Sequence, residues 1–161
     1  MCIRDRTVTD SKYESESESK PKKIHKQQRL IENAQRKQAQ SKKIDLINEY
    51  IELYNQHDLD NMLNLLSDEV KWMSVSEDKL NIETQGKEEL RESLKNYFEN
   101  IPSARSELLF LEARGDYLQA FEKALWKNKD GEEKSQCASS VYELDGNLIK
   151  NIWYYPSFSC E

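Results

Sequence analysis

From residue 44 onward the chain switches between two hydrophobic periods. Ile44, Ile47, Tyr50, Ile51 and Tyr54, flanked by Leu46 and Leu53, recur at i, i+3, i+4 and i+7. That spacing predicts a helix with a wide apolar face, running to about Gln56. The pattern breaks at His57. Asp58 reads as the N-cap of a second, short helix whose Leu59, Met62, Leu63, Leu65 and Leu66 continue the same core. After Asp68 the period becomes two: Val70, Trp72 and Ser74 alternate with Lys71, Met73 and Val75, which predicts a strand. A second short strand covers about 80–84 and ends at Gly86. Leu90, Leu94, Tyr97 and Phe98 then share one face of a helix predicted over 87–100, which Pro102 stops. Long strands follow at about 105–114, 117–127, 132–144 and 147–155. Gly115-Asp116, Asn128-Lys129-Asp130-Gly131 and Asp145-Gly146-Asn147 supply the turns between them. Helices set against one face of a meander of long strands define an α+β domain.

The front of the chain is different in kind. Residues 1–19 are dominated by Ser, Glu, Lys and Asp, with a Ser-Glu repeat at 15–19, and cannot bury enough apolar surface to offset their ordering entropy. A disordered leader is expected there. Its opening Met-Cys-Ile-Arg-Asp-Arg resembles a translated sequencing adaptor; on that reading the native start is lost, with any export or lipid-anchor segment it carried. Residues 20–43 hold nine basic side chains and one acid, Glu32. Such a run reads either as an arm for nucleic acid or an anionic membrane, or as a solvated helical extension. No aromatic residue interleaves the charges to stack a base, and Gln27, Gln28, Ala34 and Ala39 favour helix, so the extension is preferred and no nucleic acid is expected. The domain proper is placed at 44–156, with a tail at 157–161.

Charge sharpens this division. Of 161 residues, 24 are Lys or Arg and 30 are Asp or Glu, for a net of −6; residues 1–43 carry +6 and the remainder −12. An acidic domain thus follows a basic extension. No apolar run approaches the length of about 20 residues that a membrane helix needs, and no secretory signal opens the chain. No membrane span is expected, and a cytoplasmic location is preferred. Cys2, Cys137 and Cys160 form no CxxC pair, are odd in number and are too sparse for a disulfide framework, which favours a reducing compartment. His25 and His57 are the two histidines, so a metal site would need scattered carboxylates; no metal and no cofactor is expected. With four glycines and no GxSxG, GxGxxG or Walker loop, phosphate-cradling sites are excluded.

Three stretches carry a family resemblance: Tyr50 to Asp60 with its Asn-x-x-Asp-Leu-Asp corner, Leu65 to Trp72 with Asp-Glu-Val-x-Trp leading into the first strand, and Gly86-Lys-Glu-Glu-Leu opening the third helix. The chain resembles the SnoaL-like, ketosteroid-isomerase-like branch of the nuclear-transport-factor-2-like superfamily over about residues 43–156. The resemblance implies a cone-shaped roll, a strongly curved and mainly antiparallel sheet wrapped around three helices (a cystatin-like roll). It also implies a mostly apolar cavity open at one end and a homodimer formed through the outer face of the sheet. Isomerases of this branch pair a tyrosine of the first helix with a neutral aspartic acid, and use a second aspartate as base, a pattern of carboxylate tuning that is itself a standard worked example. The tyrosine matches Tyr50. The base position falls on Ser74 and the neutral-acid position on Ser140, and a serine without a neighbouring histidine cannot act as base, so isomerase chemistry is not expected.

Extending strand alternation from these matches places Trp72, Ser74, Ala138, Ser140, Tyr142, Ile149, Asn151, Trp153 and Tyr155 inside the cone. Cys137, Ser139, Val141, Lys150, Ile152 and Tyr154 take the outer face, through which the homodimer is expected to form. Tyr50, Tyr54, Trp72, Ser74, Phe98, Ser140, Tyr142, Asn151, Trp153 and Tyr155 are the expected pocket residues, for a small apolar ligand; bulky side chains filling the cone are the competing expectation. His57 and Asp58 read as a capping corner rather than as catalytic groups. The function expected is a noncatalytic ligand-binding or dimeric association module. The alternative is an isomerase, dehydratase or cyclase using Tyr50 as hydrogen-bond donor, and an ionisable group in the cavity, with Glu52, Glu122 and Asp116 as candidates, would favour it.

Overall fold

The computed structural model describes residues 19–160, with side chains from Lys23 onward. The expected disorder of the leader, and Cys2 with it, lies outside the described residues, apart from Ser19. Helix α1 (Ser19–Asn55) is continuous through the basic segment. Residues up to Gln38 form one unit and residues from Ala39 a second. In the first, every described side chain is exposed, Ile24, Leu30 and Ile31 included. The second begins slightly before the apolar stripe. There Gln40 reaches the Ala113 carbonyl at 3.5 Å, and Lys43 bonds the Gly115 carbonyl and the Asp116 carboxylate at 2.6 and 2.8 Å.

In the second unit, Ile47, Tyr50 and Ile51 of α1 are buried, as the stripe predicts. The corner at His57 has a left-handed backbone (φ 56°); the imidazole stacks on Phe98 at 3.8 Å and its Nε2 lies 2.9 Å from the Ala104 carbonyl. Asp58 caps α2 (Leu59–Asn64) by accepting from the Asn61 amide at 3.2 Å. Strands β1 (Leu66–Ser76) and β2 (Lys79–Gln85) make a hairpin, closed by Glu77 and Asp78, both at positive φ. Helix α3 (Lys87–Asn100) follows, burying Leu90, Leu94 and Phe98. The long strands are β3 (Arg105–Arg114), β4 (Tyr117–Lys127), β5 (Glu133–Asp145) and β6 (Leu148–Tyr154). Gly115, Gly131 and Gly146 stand in the turns between them at positive φ, where a glycine carries no steric cost.

The architecture is α+β: one six-stranded curved sheet in the order β2-β1-β6-β5-β4-β3, antiparallel except where β1 meets β6. The core lies between the inner face of this sheet and the helices. Leu118, Ala120, Tyr142, Leu144, Ile149 and Ile152 from the strands meet Ile47, Tyr50, Leu90 and Leu94.

Two irregularities in the ladder decide which residues line that face. In β6, Ile149 pairs with Leu144 and Asn151 with Glu143, which leaves Lys150 as an extra residue. A bulge of this kind reverses the side-chain phase beyond it. The predicted inner set is corrected accordingly. Ile152 and Tyr154 point inward with their partners Tyr142 and Ser140, while Asn151 and Trp153 join the outer face, paired with Glu143 and Val141. Asn151 donates to the Glu143 carboxylate at 2.7 Å, and Tyr155 lies exposed just past the strand. In β2, Trp72 pairs with Thr84 and Met73 with Ile82, so Glu83 is the extra residue.

The cysteine expectation is also corrected. Cys137 and Cys160 form a disulfide, with Cα atoms 5.1 Å apart. The tail folds back on β5 because Phe158 exchanges both backbone hydrogen bonds with Cys137, at 3.0 and 2.8 Å, which brings Cys160 alongside.

Candidate functional site

The inner face of β4 runs Leu118, Ala120, Glu122. The first two are fully buried, and Glu122 is only 5% exposed. A charged side chain at such a position must find partners, because desolvating it unpaired is costly. Small neighbours provide the room: Ala120 precedes it on the same face and Ala138 lies opposite on β5. The carboxylate fills that space and collects four hydroxyls from three strands. Oε1 accepts from Ser140 and, at 2.5 Å, from Tyr142, both on β5. Oε2 accepts from Ser106 of β3 at 3.1 Å and from Tyr154 of β6 at 3.2 Å. The Tyr142 and Tyr154 hydroxyls are themselves 3.4 Å apart. Ser140 and Tyr142 are fully buried, whereas Ser106 and Tyr154 are partly open, so the Oε2 side is the approachable one.

Aromatic rings surround this centre. Tyr50 meets Tyr142 edge-on at 6.0 Å, Tyr54 meets Phe98 at 5.0 Å, and Trp72 tilts against Tyr154 at 5.8 Å. Burial pushes the phenols of Tyr50, Tyr142 and Tyr154 above their ordinary range, and the nearby Glu122 charge pushes them further. Tyr54 moves the same way, from burial first and then from Tyr97. These phenols therefore stay protonated across the neutral range, and those of Tyr142 and Tyr154 donate to Glu122. No Lys or Arg lies within ion-pairing distance of Glu122 among the described residues.

Of the expected pocket residues, Ser140 and Tyr142 bond Glu122, Tyr50 and Trp72 pack on Tyr142 and Tyr154, and Tyr54 and Phe98 pack on each other. Ser74 is one inward position beyond Trp72, and its Oγ donates to Glu83 at 2.5 Å. Asn151, Trp153 and Tyr155 are not brought to it. Ser74 is thus bonded to an exposed carboxylate on the β2 bulge, and Ser140 to a buried one. Ser106, Tyr154 and Glu83 escaped the sequence reading. Glu122 was legible as the in-phase successor of Leu118 and Ala120. A separate cleft of about 270 Å³ opens at the far end of β3, β4 and β5, lined by Ser103, Arg105, Trp126, Lys127 and Lys134 among others, and none of the expected pocket residues contributes to it. Among the described residues no cluster of His, Cys, Asp or Glu is placed to hold a metal ion, and no helix is long and apolar enough to cross a membrane.

A family model described as the SnoaL-like domain matches residues 47–152. The chain belongs to that family. Solved structures agree on the fold. An uncharacterised cystatin-fold protein from Novosphingobium aromaticivorans is similar at 18% identity and a TM-score of 0.60, over 68% of this chain and 94% of that one. A putative polyketide cyclase from Xanthomonas campestris pv. campestris is similar at 17% identity and a TM-score of 0.57, over 73% and 91%. TerC, co-crystallised with polyporic acid, is similar at 12% identity and a TM-score of 0.59, over 70% and 89%. At such identities the likeness concerns the fold. No curated protein matches the chain.

Proposed function

We propose that this SnoaL-like domain is a noncatalytic binding module for a small, mostly apolar organic molecule, held against the inner sheet face between Trp72, Tyr54 and the Glu122 hydroxyl cluster. The observation that carries the reading is the saturation of Glu122. A carboxylate has about four lone-pair positions, and four hydroxyls occupy them, so no position is left to take a proton from a substrate. A rigid aromatic wall with a few fixed polar groups is the ordinary make-up of a small-molecule site. That a relative by fold was crystallised with polyporic acid is consistent with such use. The test is tryptophan emission during titration with naphthalene-sized apolar probes. Saturable quenching that disappears in Trp72→Phe supports the reading, and a flat response up to probe solubility refutes it.

A second reading, an isomerase, dehydratase or cyclase, is favoured by one contact: the Ser74–Glu83 bond sets a solvent-accessible carboxylate where the isomerase pattern has its base. Turnover lost in Glu83→Gln would establish it.

Two further proposals concern assembly and place. A homodimer would use the outer sheet face, where Phe110 and Phe121 stand exposed at 5.9 Å from each other on β3 and β4. The Cys137–Cys160 bond supports an exported rather than a cytoplasmic protein, since such bonds persist in oxidising compartments. Thiol titration of the unfolded, unreduced chain checks this: one free thiol fits export, three do not.

A further inference from the structure

Hydrogen-bond polarity at the Glu122 centre restricts what the site can hold. Each of Ser106, Ser140, Tyr142 and Tyr154 owns one hydroxyl proton, and each directs it at the carboxylate. An anionic carboxylate only accepts hydrogen bonds, and a hydroxyl whose proton is committed presents only lone pairs to anything else. On the approachable Oε2 side, the outward-facing groups of Ser106 and Tyr154 are therefore acceptors. The charge they surround has no Lys or Arg partner among the described residues. Trp72 and Leu108, partly buried and packed on the core, make the adjoining wall apolar. A carbonyl or ether oxygen brought here would face lone pairs and a buried negative charge. A ligand N–H or O–H would find acceptors, and a cation would meet the missing countercharge in surroundings where water screens little.

We propose that the site selects ligands by the hydrogen-bond donors they carry, and that its preferred class is a protonated amine on a ring-sized apolar body, ahead of alcohols and phenols, with ketones and ethers rejected. The inference rests on the binding reading above. It gives this site the opposite polarity to one built to donate hydrogen bonds to a substrate carbonyl.

Three probes of nearly one shape test it on the full chain by calorimetry: 1-naphthylmethylamine, 1-naphthylmethanol and 1-acetylnaphthalene. The amine is expected to bind at least about tenfold more tightly than the ketone, with the alcohol between, since a charge-assisted hydrogen bond is roughly twice as strong as a neutral one. In Glu122→Gln the amide brings donors of its own and no charge, so the amine preference should fall to less than about threefold. Tyr154→Phe, which keeps the carboxylate and trades one hydroxyl acceptor for the Oε2 lone pair it covered, should keep the amine ahead of the ketone at least as strongly as in the parent chain; this variant carries the test if Glu122→Gln fails to fold, and loss of the preference in it overturns the donor rule. Equal affinities for the three probes in the parent chain overturn the donor rule and leave the binding reading intact. No binding of any probe overturns the binding reading itself.

Discussion

The two faces of β4 invert the usual arrangement of a half-buried strand. Inward it presents Leu118, Ala120 and Glu122; outward it presents Tyr117, Gln119 and Phe121. The carboxylate is 5% exposed, while Phe121 is 39% exposed and its neighbour Phe110 43%. Apolar transfer energy alone would exchange the two. What holds the charge inside is a complete set of donors, one from neighbouring β3, two from neighbouring β5 and one from β6 beyond it. On the outer face no comparable set of partners covers the phenylalanines within the described residues. One exception to the hydrophobic rule is thus satisfied within the chain, and the other leaves an exposed aromatic pair on the outer face.

The largest way to break this comparison is to delete the carboxylate. Glu122→Ala strands the buried hydroxyls of Ser140 and Tyr142, unpairs the half-buried ones of Ser106 and Tyr154, and should cost about 3–5 kcal/mol in urea unfolding. A loss below about 1 kcal/mol would mean that the cluster is not holding the inner face together.

Next in size is an alkaline effect. Tyr50, Tyr142 and Tyr154 are held above their unfolded range by burial and by Glu122. A phenol with a raised folded pKa stabilises the fold fully below about pH 10, and that contribution is lost as pH rises from there toward the folded value. In this window the unfolded chain has released protons that the native one keeps. Stability should therefore fall by up to about 1.4 kcal/mol per pH unit for each such tyrosine. Tyr142→Phe should make the fall shallower, and an unchanged slope would contradict the cause given.

The outer face should respond differently. Phe121→Ser is expected to change monomer stability by less than about 0.5 kcal/mol. In sedimentation it should convert a dimer of the 19.0 kDa chain into monomer. If the parent already sediments as a monomer, the exposed rings serve something other than a second copy.

Smallest of all, a chain starting at Ala39 should unfold within a few degrees of the full chain, because every described side chain before Gln40 is exposed.

Much of the fold was legible because period and turn chemistry agree locally. The apolar stripe of α1, the Asp58 cap and the glycine turns at 115, 131 and 146 need only near neighbours in sequence to be read. The site was half legible. Tyr50 and Tyr54 follow from the helical stripe of α1, Trp72, Ser140 and Tyr142 from uninterrupted strand alternation, and Glu122 stands in phase with Leu118 and Ala120. Tyr154 was assigned to the wrong face because the bulge at Lys150 depends on how β6 pairs with β5, and nothing in residues 148–154 alone announces it. Glu83 was missed for the same reason on β2. The Cys137–Cys160 bond depends on the tail returning along β5 through Phe158, which cysteine counting cannot register.

The account turns on whether Glu122 and the tyrosines act as one network. A double-mutant cycle of Glu122→Gln and Tyr142→Phe, followed by urea unfolding, measures that directly. Coupling of about 1 kcal/mol or more is expected, because Tyr142→Phe removes the 2.5 Å bond they share and Glu122→Gln removes the charge that strengthens it. Additive losses would contradict the account and leave Glu122 a carboxylate that happens to be buried.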